Sequence, residues 1–246
     1  MHWKGIMSIP QNSVFLQDLL REVRKGTLLP ASFQRPYVWG KQDVLALVES
    51  ILRSYPIGGF LLWSPWGKAD LSRVGRNRLG PILASTDVVG SSLLLDGQNR
   101  LATMAWMAMD PSQPVPPGLT GQELATWGTG QRLVADMALR QIHFVPEAEV
   151  EQGFRLPSAA LLDSTLANRL MRKHWDKAWQ NLSEEEKDAG LAWFEDCARK
   201  FCEARVVVTD LENVTAEEAK DAFLHICKVG VPMSEEDFKA SLAWAF

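Results

Sequence analysis

The sequence predicts a mixed α/β (α+β) protein, and three stretches carry the prediction. Leu93–Leu94–Leu95 is a short apolar run closed by Asp96–Gly97, which suits a buried strand ending in a tight turn. Directly after it, Leu101, Met104, Ala105 and Ala108 recur at helical spacing, so the chain passes from strand to helix at that turn. Ile57–Trp63 reads as a second buried strand, and Leu133–Asp136 with Gln141–Val145 as a strand pair. From Ser158 onward the pattern becomes mainly helical, which divides the chain into an α/β core over 1–150 and a helical extension over 151–246.

The remaining elements follow in order. Ser13 is placed to cap a helix whose apolar face is Phe15, Leu16, Leu19, Leu20 and Val23, ended by Lys25–Gly26. Pro30 and Pro36 forbid a helix over Leu28–Trp39 and hold their predecessors extended. Lys41–Tyr55 is amphipathic through Val44, Leu47, Val48, Ile51 and Leu52, and Pro56 stops it. Ser64–Ser92 is polar and broken by prolines and glycines, so it reads as a loop. Ser158–Gln180 and Ser183–Cys202 read as helices, the second opened by a Ser183/Glu186 capping box. Arg205–Thr209 is a short strand, Thr215 caps a helix through Cys227, and Met233–Phe238 opens a last helix.

Composition narrows the functional classes. A chain of 246 residues can bury a substantial core, and 46% hydrophobic with 23% charged residues is ordinary for a globular protein. A net charge of −4 argues against coating nucleic acid by bulk electrostatics. The three cysteines, Cys197, Cys202 and Cys227, have neither metal-ligand nor redox spacing and read as small packed residues. No apolar run has transmembrane length and no secretory signal stands at the start, so a cytoplasmic protein without a membrane partner is expected.

Candidate chemistry gathers at the strand-turn-helix junction. A helix start presents free N–H groups and the positive end of its dipole, which suits an anion. Gly97 lets the backbone approach a ligand, Arg100 can pair with a phosphate or carboxylate, Gln98 and Asn99 add amide groups, and Asp96 can hold Mg²⁺ or orient water. The plainer reading is equally open: Asp is a favoured N-cap, Gly a turn residue, and Arg a solvated cation. Gln34 and Arg35 sit between Phe33, Tyr37 and Trp39, an arrangement that lines pockets but also packs surfaces. Lys68, Arg73, Arg76 and Arg78 form the densest basic stretch, either a solvated loop or a contact for DNA phosphates. His143, inside the second strand of the pair, reads as structural.

Four blocks in order resemble the GmrSD restriction-endonuclease N-terminal domain family, which is related to ParB and sulfiredoxin-like folds. They are Pro30–Trp39 (PASFQRPYVW), Val48–Gly58 with its SIL and PIG elements, Leu94–Leu101 with DGQNR, and Phe223–Gly230 followed by Ser234. The resemblance implies a ParB-like nucleotide-binding core with a helical extension, a nucleoside triphosphate and Mg²⁺ as cofactors, and a role in anti-phage or modification-dependent DNA restriction. Carried over by position, Asp96, Gln98 and Arg100 would be catalytic, with Asp96 holding the metal. Gln34, Arg35, Gly97, Asn99 and His225 would bind nucleotide. This sequence departs from the pattern in three places: Asn99 stands for a Gln, and His225 and Cys227 stand where the family has Arg and Asn. Members often carry a C-terminal HNH-type nuclease, and no His-rich metal spacing occurs before Phe246, so a partner chain is expected to supply cleavage. Three functions remain open on the sequence: an NTP-binding and NTP-hydrolysing module, a non-catalytic DNA- or protein-binding module, and a DNA nuclease using the same residues.

Overall fold

The computed structural model describes residues 10–65, 71, 74–85, 91–119, 121–128, 130–175, 179–212 and 214–229. The expected helix after Met233, and the basic residues Lys68 and Arg73, lie outside them. The chain forms two compact units, each assembled from separated segments. The first holds residues 1–36, 58–98 and 205–246; the second holds 37–57 and 99–204. Residue 150, where the sequence suggested a division, lies inside the second unit.

The first unit is built on a mixed five-stranded sheet of β1 (Gln11–Phe15), β10 (Arg205–Glu212), β3 (Phe60–Ser64), β6 (Ser92–Asp96) and β2 (Leu28–Pro30), in that spatial order. β1 runs antiparallel to β10, β10 parallel to β3, β3 antiparallel to β6, and β6 parallel to β2. The three leucines of β6 are buried because both sheet faces are covered. Leu93 and Leu95 join one core cluster with Leu29, Leu61, Trp63, Leu211 and Phe223, while Leu94 points to the other face. The Trp63 indole donates to the Val214 carbonyl at 3.1 Å and so ties the chain after β10 to β3. A small hairpin, β4 (Arg78–Leu79) with β5 (Ile82–Leu83), interrupts the segment expected to be all loop.

Helix α1 spans Leu16–Lys25 with Phe15 at its N-cap position, two residues later than the sequence suggests. Gln11–Phe15 pairs in register with Arg205–Thr209 instead, so sheet hydrogen bonds override the cap signal of Ser13. Gly26 ends α1 at φ +80°, and a Cβ there would lie 2.3 Å from the Ser85 carbonyl oxygen. Helix α7 (Ala216–Val229) begins where Thr215 and Glu218 cap each other, with Thr215 N–H to Glu218 at 2.8 Å and Glu218 N–H to Thr215 at 3.3 Å.

In the second unit, β8 (Gln141–Pro146), β7 (Gln131–Asp136) and β9 (Arg155–Pro157) form an antiparallel sheet. With it stand α2 (Lys41–Leu52), α3 (Gln98–Met107, whose first residue belongs to the first unit), α4 (Gly121–Trp127), α5 (Ser164–Trp175) and α6 (Glu184–Glu203). Helix α3 is buried from Leu101 to Met107, a wholly covered helix rather than an amphipathic one. Residues 158–161 form a 3₁₀ turn, so α5 starts at Ser164 and not at Ser158. The Ser183/Glu186 capping box opens α6 as expected. Cys197 is buried on α6, and burial pushes its thiol up to about 11; Cys202 is exposed, against expectation, and neither is held in a disulfide among the described residues.

Two carboxylates, one buried and one half-buried, mark where stability depends on charge. Asp136 is 2% exposed and accepts from Arg155 Nε at 2.6 Å and from the Leu139 N–H at 3.0 Å; His143 Nε2 stands 3.9 Å from it, a structural position. Asp136→Asn is expected to cost about 2–3 kcal/mol by denaturant titration, below the range for a fully buried pair because Arg155 keeps some water contact. In the first unit Asp210 is half-buried and accepts from Ser64 Oγ at 2.9 Å, while Ser64 and Ser92 hydroxyls lie 2.8 Å apart. Ser64 has one hydroxyl proton; with it directed at Asp210, Ser92 donates to Ser64. Burial, with Glu212 nearby, raises the Asp210 pKa above its ordinary value despite the Ser64 bond. The folded state therefore holds this proton more tightly than the unfolded chain, and stability at this group falls as pH rises through that window. Asp210→Asn should stabilise the protein at pH 7, with the gain shrinking toward zero as pH falls below the ordinary carboxylate range.

Candidate functional site

The junction after β6 is fixed by a glycine that no other residue can replace without movement. Gly97 sits at φ +101°, and a Cβ on it would meet Phe60 Cδ1 at 2.4 Å. Phe60 opens β3 and is 1% exposed, so its ring cannot swing aside. The chain thus turns against the Phe60 ring, leaving Asp96 exposed at the end of β6 and Gln98 at the first position of α3.

Gln34 is held beside the same strand. Its Nε2 donates to the Leu94 carbonyl at 2.7 Å, and the side chain is 7% exposed. Gln34 Oε1 is buried with no hydrogen-bond partner among the described residues, and so is Gln98 Oε1. Two buried amide oxygens without donors cost free energy unless something supplies N–H, O–H or a cation. Arg35, next in the chain, is exposed. Phe33 packs edge-on against Phe223 of α7, with ring centroids 4.9 Å apart. That contact sets α7 beside the segment carrying Gln34 and Arg35, and His225 lies two residues further along it, exposed. The side chain of Cys227 lies outside the described atoms.

Arg76, grouped by sequence with a basic loop, has another task. Its Nη2 donates to the Ser32 carbonyl at 2.8 Å and also to the Gln34 carbonyl, and its Nε reaches Ser32 at 3.2 Å. Burial lowers its pKa from the usual arginine value. Through Nε and Nη2 the guanidinium clamps the backbone that presents Gln34 and Arg35. Arg78 donates through Nε to the Gly80 carbonyl at 2.7 Å. Nothing in the sequence signals the clamp, because Arg76 lies 42 residues from Gln34.

Asn99 and Arg100 belong to the second unit and have backbone partners there. Asn99 Oδ1 accepts from the Val38 N–H at 3.1 Å, and Arg100 Nη1 donates to the Ile57 carbonyl at 2.8 Å. Tyr37 is buried in that unit, with its hydroxyl 2.8 Å from Thr103 Oγ1; burial pushes its pKa up to about 12. The Pro30–Trp39 and DGQNR stretches therefore each straddle the two units, with Gln34, Arg35, Asp96, Gly97 and Gln98 on one side.

No group of three or more His, Cys, Asp or Glu side chains among the described residues is arranged to hold a metal ion. A lone Asp96 carboxylate fits Mg²⁺ that arrives with phosphate oxygens and water, and does not fit a resident protein-held metal. The two unsatisfied amide oxygens and the Cβ-free turn fit a ligand with donor groups and phosphates.

A mixed α/β unit with a glycine-forced strand-to-helix turn and a buried glutamine beside the same strand is the class of structure that the first unit presents. Gln34 and the Asp96–Gln98 turn lie within a match to the family described as GmrSD restriction endonuclease, N-terminal domain, over residues 16–243, and the chain belongs to that family. It is also 29% identical over 115 residues to an uncharacterised protein of Methanocaldococcus jannaschii, covering 44% of this chain and 19% of that relative. The chain therefore spans a small part of the relative's length. No helix among the described residues is long and apolar enough to cross a membrane.

Gly97→Ala should destabilise the protein by about 2–3 kcal/mol, since it adds both a disfavoured positive φ and a clash with Phe60. Urea unfolding of the variant beside a Gly118→Ala control, whose Cβ would meet nothing within 4 Å, separates the clash from the backbone effect.

Proposed function

We propose that this chain is the nucleotide-binding, NTP-hydrolysing module of a modification-dependent restriction system, with its first unit a ParB/sulfiredoxin-like core. The observation that carries the reading is the junction at Asp96–Gly97–Gln98, where a Cβ-free turn and a helix start meet two buried amide oxygens that want donors. Arg35 neutralises phosphate, and Gln34 Oε1 and Gln98 Oε1 accept from donor groups of the nucleotide. Asp96 is the one carboxylate of the turn, and in this reading it takes Mg²⁺ together with phosphate oxygens and water. Mg²⁺ supplies charge neutralisation on the phosphates when bound. Asn99 and Arg100 have backbone partners in the second unit, so their contribution is to hold the start of α3. His225 stands where the family has a permanent cation and carries charge only when protonated, which favours binding over fast hydrolysis. DNA is reached through a partner nuclease subunit in this reading. A basic loop that binds DNA directly is disfavoured because Arg76 is committed to backbone carbonyls.

The test is titration of the purified protein with each nucleoside triphosphate and Mg²⁺, following thermal stability and phosphate release together. A nucleotide at about 100 times its Kd should add about 2.7 kcal/mol, or a rise of about 5–10 °C. Arg35→Ala should weaken the affinity about tenfold or more with the fold intact, as expected for a lost charge-assisted contact. Gln34→Leu is the second variant: the Leu94 carbonyl keeps the Ala31 N–H at 3.1 Å, so stability should change by less than about 1 kcal/mol while nucleotide binding falls. No stabilisation by any triphosphate at millimolar concentration would overturn the proposal.

A further inference from the structure

The second unit contains a small cavity whose walls carry hydrogen-bond donors without acceptors. It measures about 30 Å³ and is lined by Trp106, Asp110, Trp127, Gln131, Arg132 and Ser158 together with apolar side chains. Trp106 and Trp127 are 5% and 6% exposed, and their rings stack at 5.7 Å between centroids. Trp106 Nε1 and Arg132 Nε are buried with no partner among the described residues. Trp127 Nε1 lies close enough to the Tyr37 hydroxyl to favour its ionised form, yet completes no well-aligned hydrogen bond. Two of the acceptor groups on the wall, Gln131 and Asp110, are already engaged. Gln131 Oε1 accepts from Lys41 Nζ at 2.5 Å, and Asp110 accepts from Ser112 and from Arg169. Ser158 Oγ spends its proton on the Met107 carbonyl at 3.0 Å.

Buried N–H groups left unpaired are rare and costly, so the cavity is suited to an incoming acceptor. The charges decide which kind. Arg132 is paired with Glu147 at 2.9 Å and Asp110 with Arg169 at 3.1 Å, so the charged side chains that line the cavity are each paired. An open groove of about 430 Å³ shares Trp127 and Arg132 as walls and is otherwise lined mainly by Val115, Pro116, Leu119 and Leu124 with glycines. Its surface suits an uncharged, partly apolar body. We propose that this cavity and groove form a second ligand site, distinct from the Asp96 turn, for a small neutral molecule bearing a carbonyl group, such as an amide, a lactam or a pyrimidine base. The carbonyl oxygen enters the cavity and accepts from Trp106 Nε1 and Arg132 Nε, while the remainder lies in the groove. A cavity of this size holds one or two atoms of a ligand or a water, which limits the buried part to the carbonyl itself.

The test uses the full chain labelled with ¹⁵N and follows the indole N–H resonances as 2-pyrrolidone, uridine, acetate and inorganic phosphate are added separately. Saturable shifts of the Trp106 and Trp127 signals with 2-pyrrolidone and uridine support the site. Shifts with uridine alone assign the carbonyl to a base. Arg132→Leu should weaken either response about tenfold, and Trp106→Phe should remove the Trp106 signal and weaken binding with the ring retained. A response to acetate or phosphate alone, or no response to any probe at millimolar concentration, overturns the proposal and leaves a cavity for water. Nucleotide stabilisation at the Asp96 turn should be unchanged in Arg132→Leu, so failure of one site is distinguishable from failure of the other.

Discussion

The packing of Gly97 on the Phe60 ring is the constraint from which the candidate site follows. With φ at +101° and no room for a Cβ, the backbone can leave β6 in only one direction. Asp96 is then left at the strand end in solvent, and Gln98 becomes the first residue of α3. The turn is made of residues that favour ligand approach, but what holds it is the buried end of a neighbouring strand. Removing the ring would free the turn, and adding a methyl group to the glycine would move it.

The other half of the site depends on backbone held from outside. Arg76 donates to two carbonyls of the Ser32–Gln34 segment, and Gln34 in turn donates to β6. Arg35 is exposed on a segment fixed by its neighbours rather than by its own contacts. Such an arrangement lets an arginine meet a ligand without losing much conformational freedom first. Lysine at position 76 could not bridge both carbonyls in this way, since the guanidinium is planar with donors in a fixed fork.

The two units are interleaved in sequence, and both signature stretches run from one unit into the other. Tyr37, Asn99 and Arg100 are engaged in the second unit within a few residues of Gln34, Asp96 and Gln98 in the first. This interleaving explains why a short motif can look like a single functional cluster while its members divide their labour. Some of its polar groups satisfy backbone; the Gln34 and Gln98 amide oxygens have no partner among the described residues. The cavity between Trp106 and Arg132 belongs wholly to the second unit and answers to different chemistry, a surplus of N–H groups with balanced charge.

Much of the local structure was legible because it rests on local causes. The capping boxes at Ser183 and Thr215, the stop at Gly26, the buried run of β6 and the turn at Gly97 are all short-range events, readable from residue type and spacing. The family, too, is carried by residues close together in the chain. Tertiary structure alone decided what depends on pairing across distance. Gln11–Phe15 became a strand because β10 was there to pair with it, not because of its own composition. Arg76 became a clamp because folding brought Ser32 and Gln34 within reach of a guanidinium that sequence places among loop cations. The division into units followed contacts among segments more than a hundred residues apart, which no periodicity records. Short-range preferences are written in each residue, whereas the partner of a buried donor or a strand edge exists only once the chain has closed on itself.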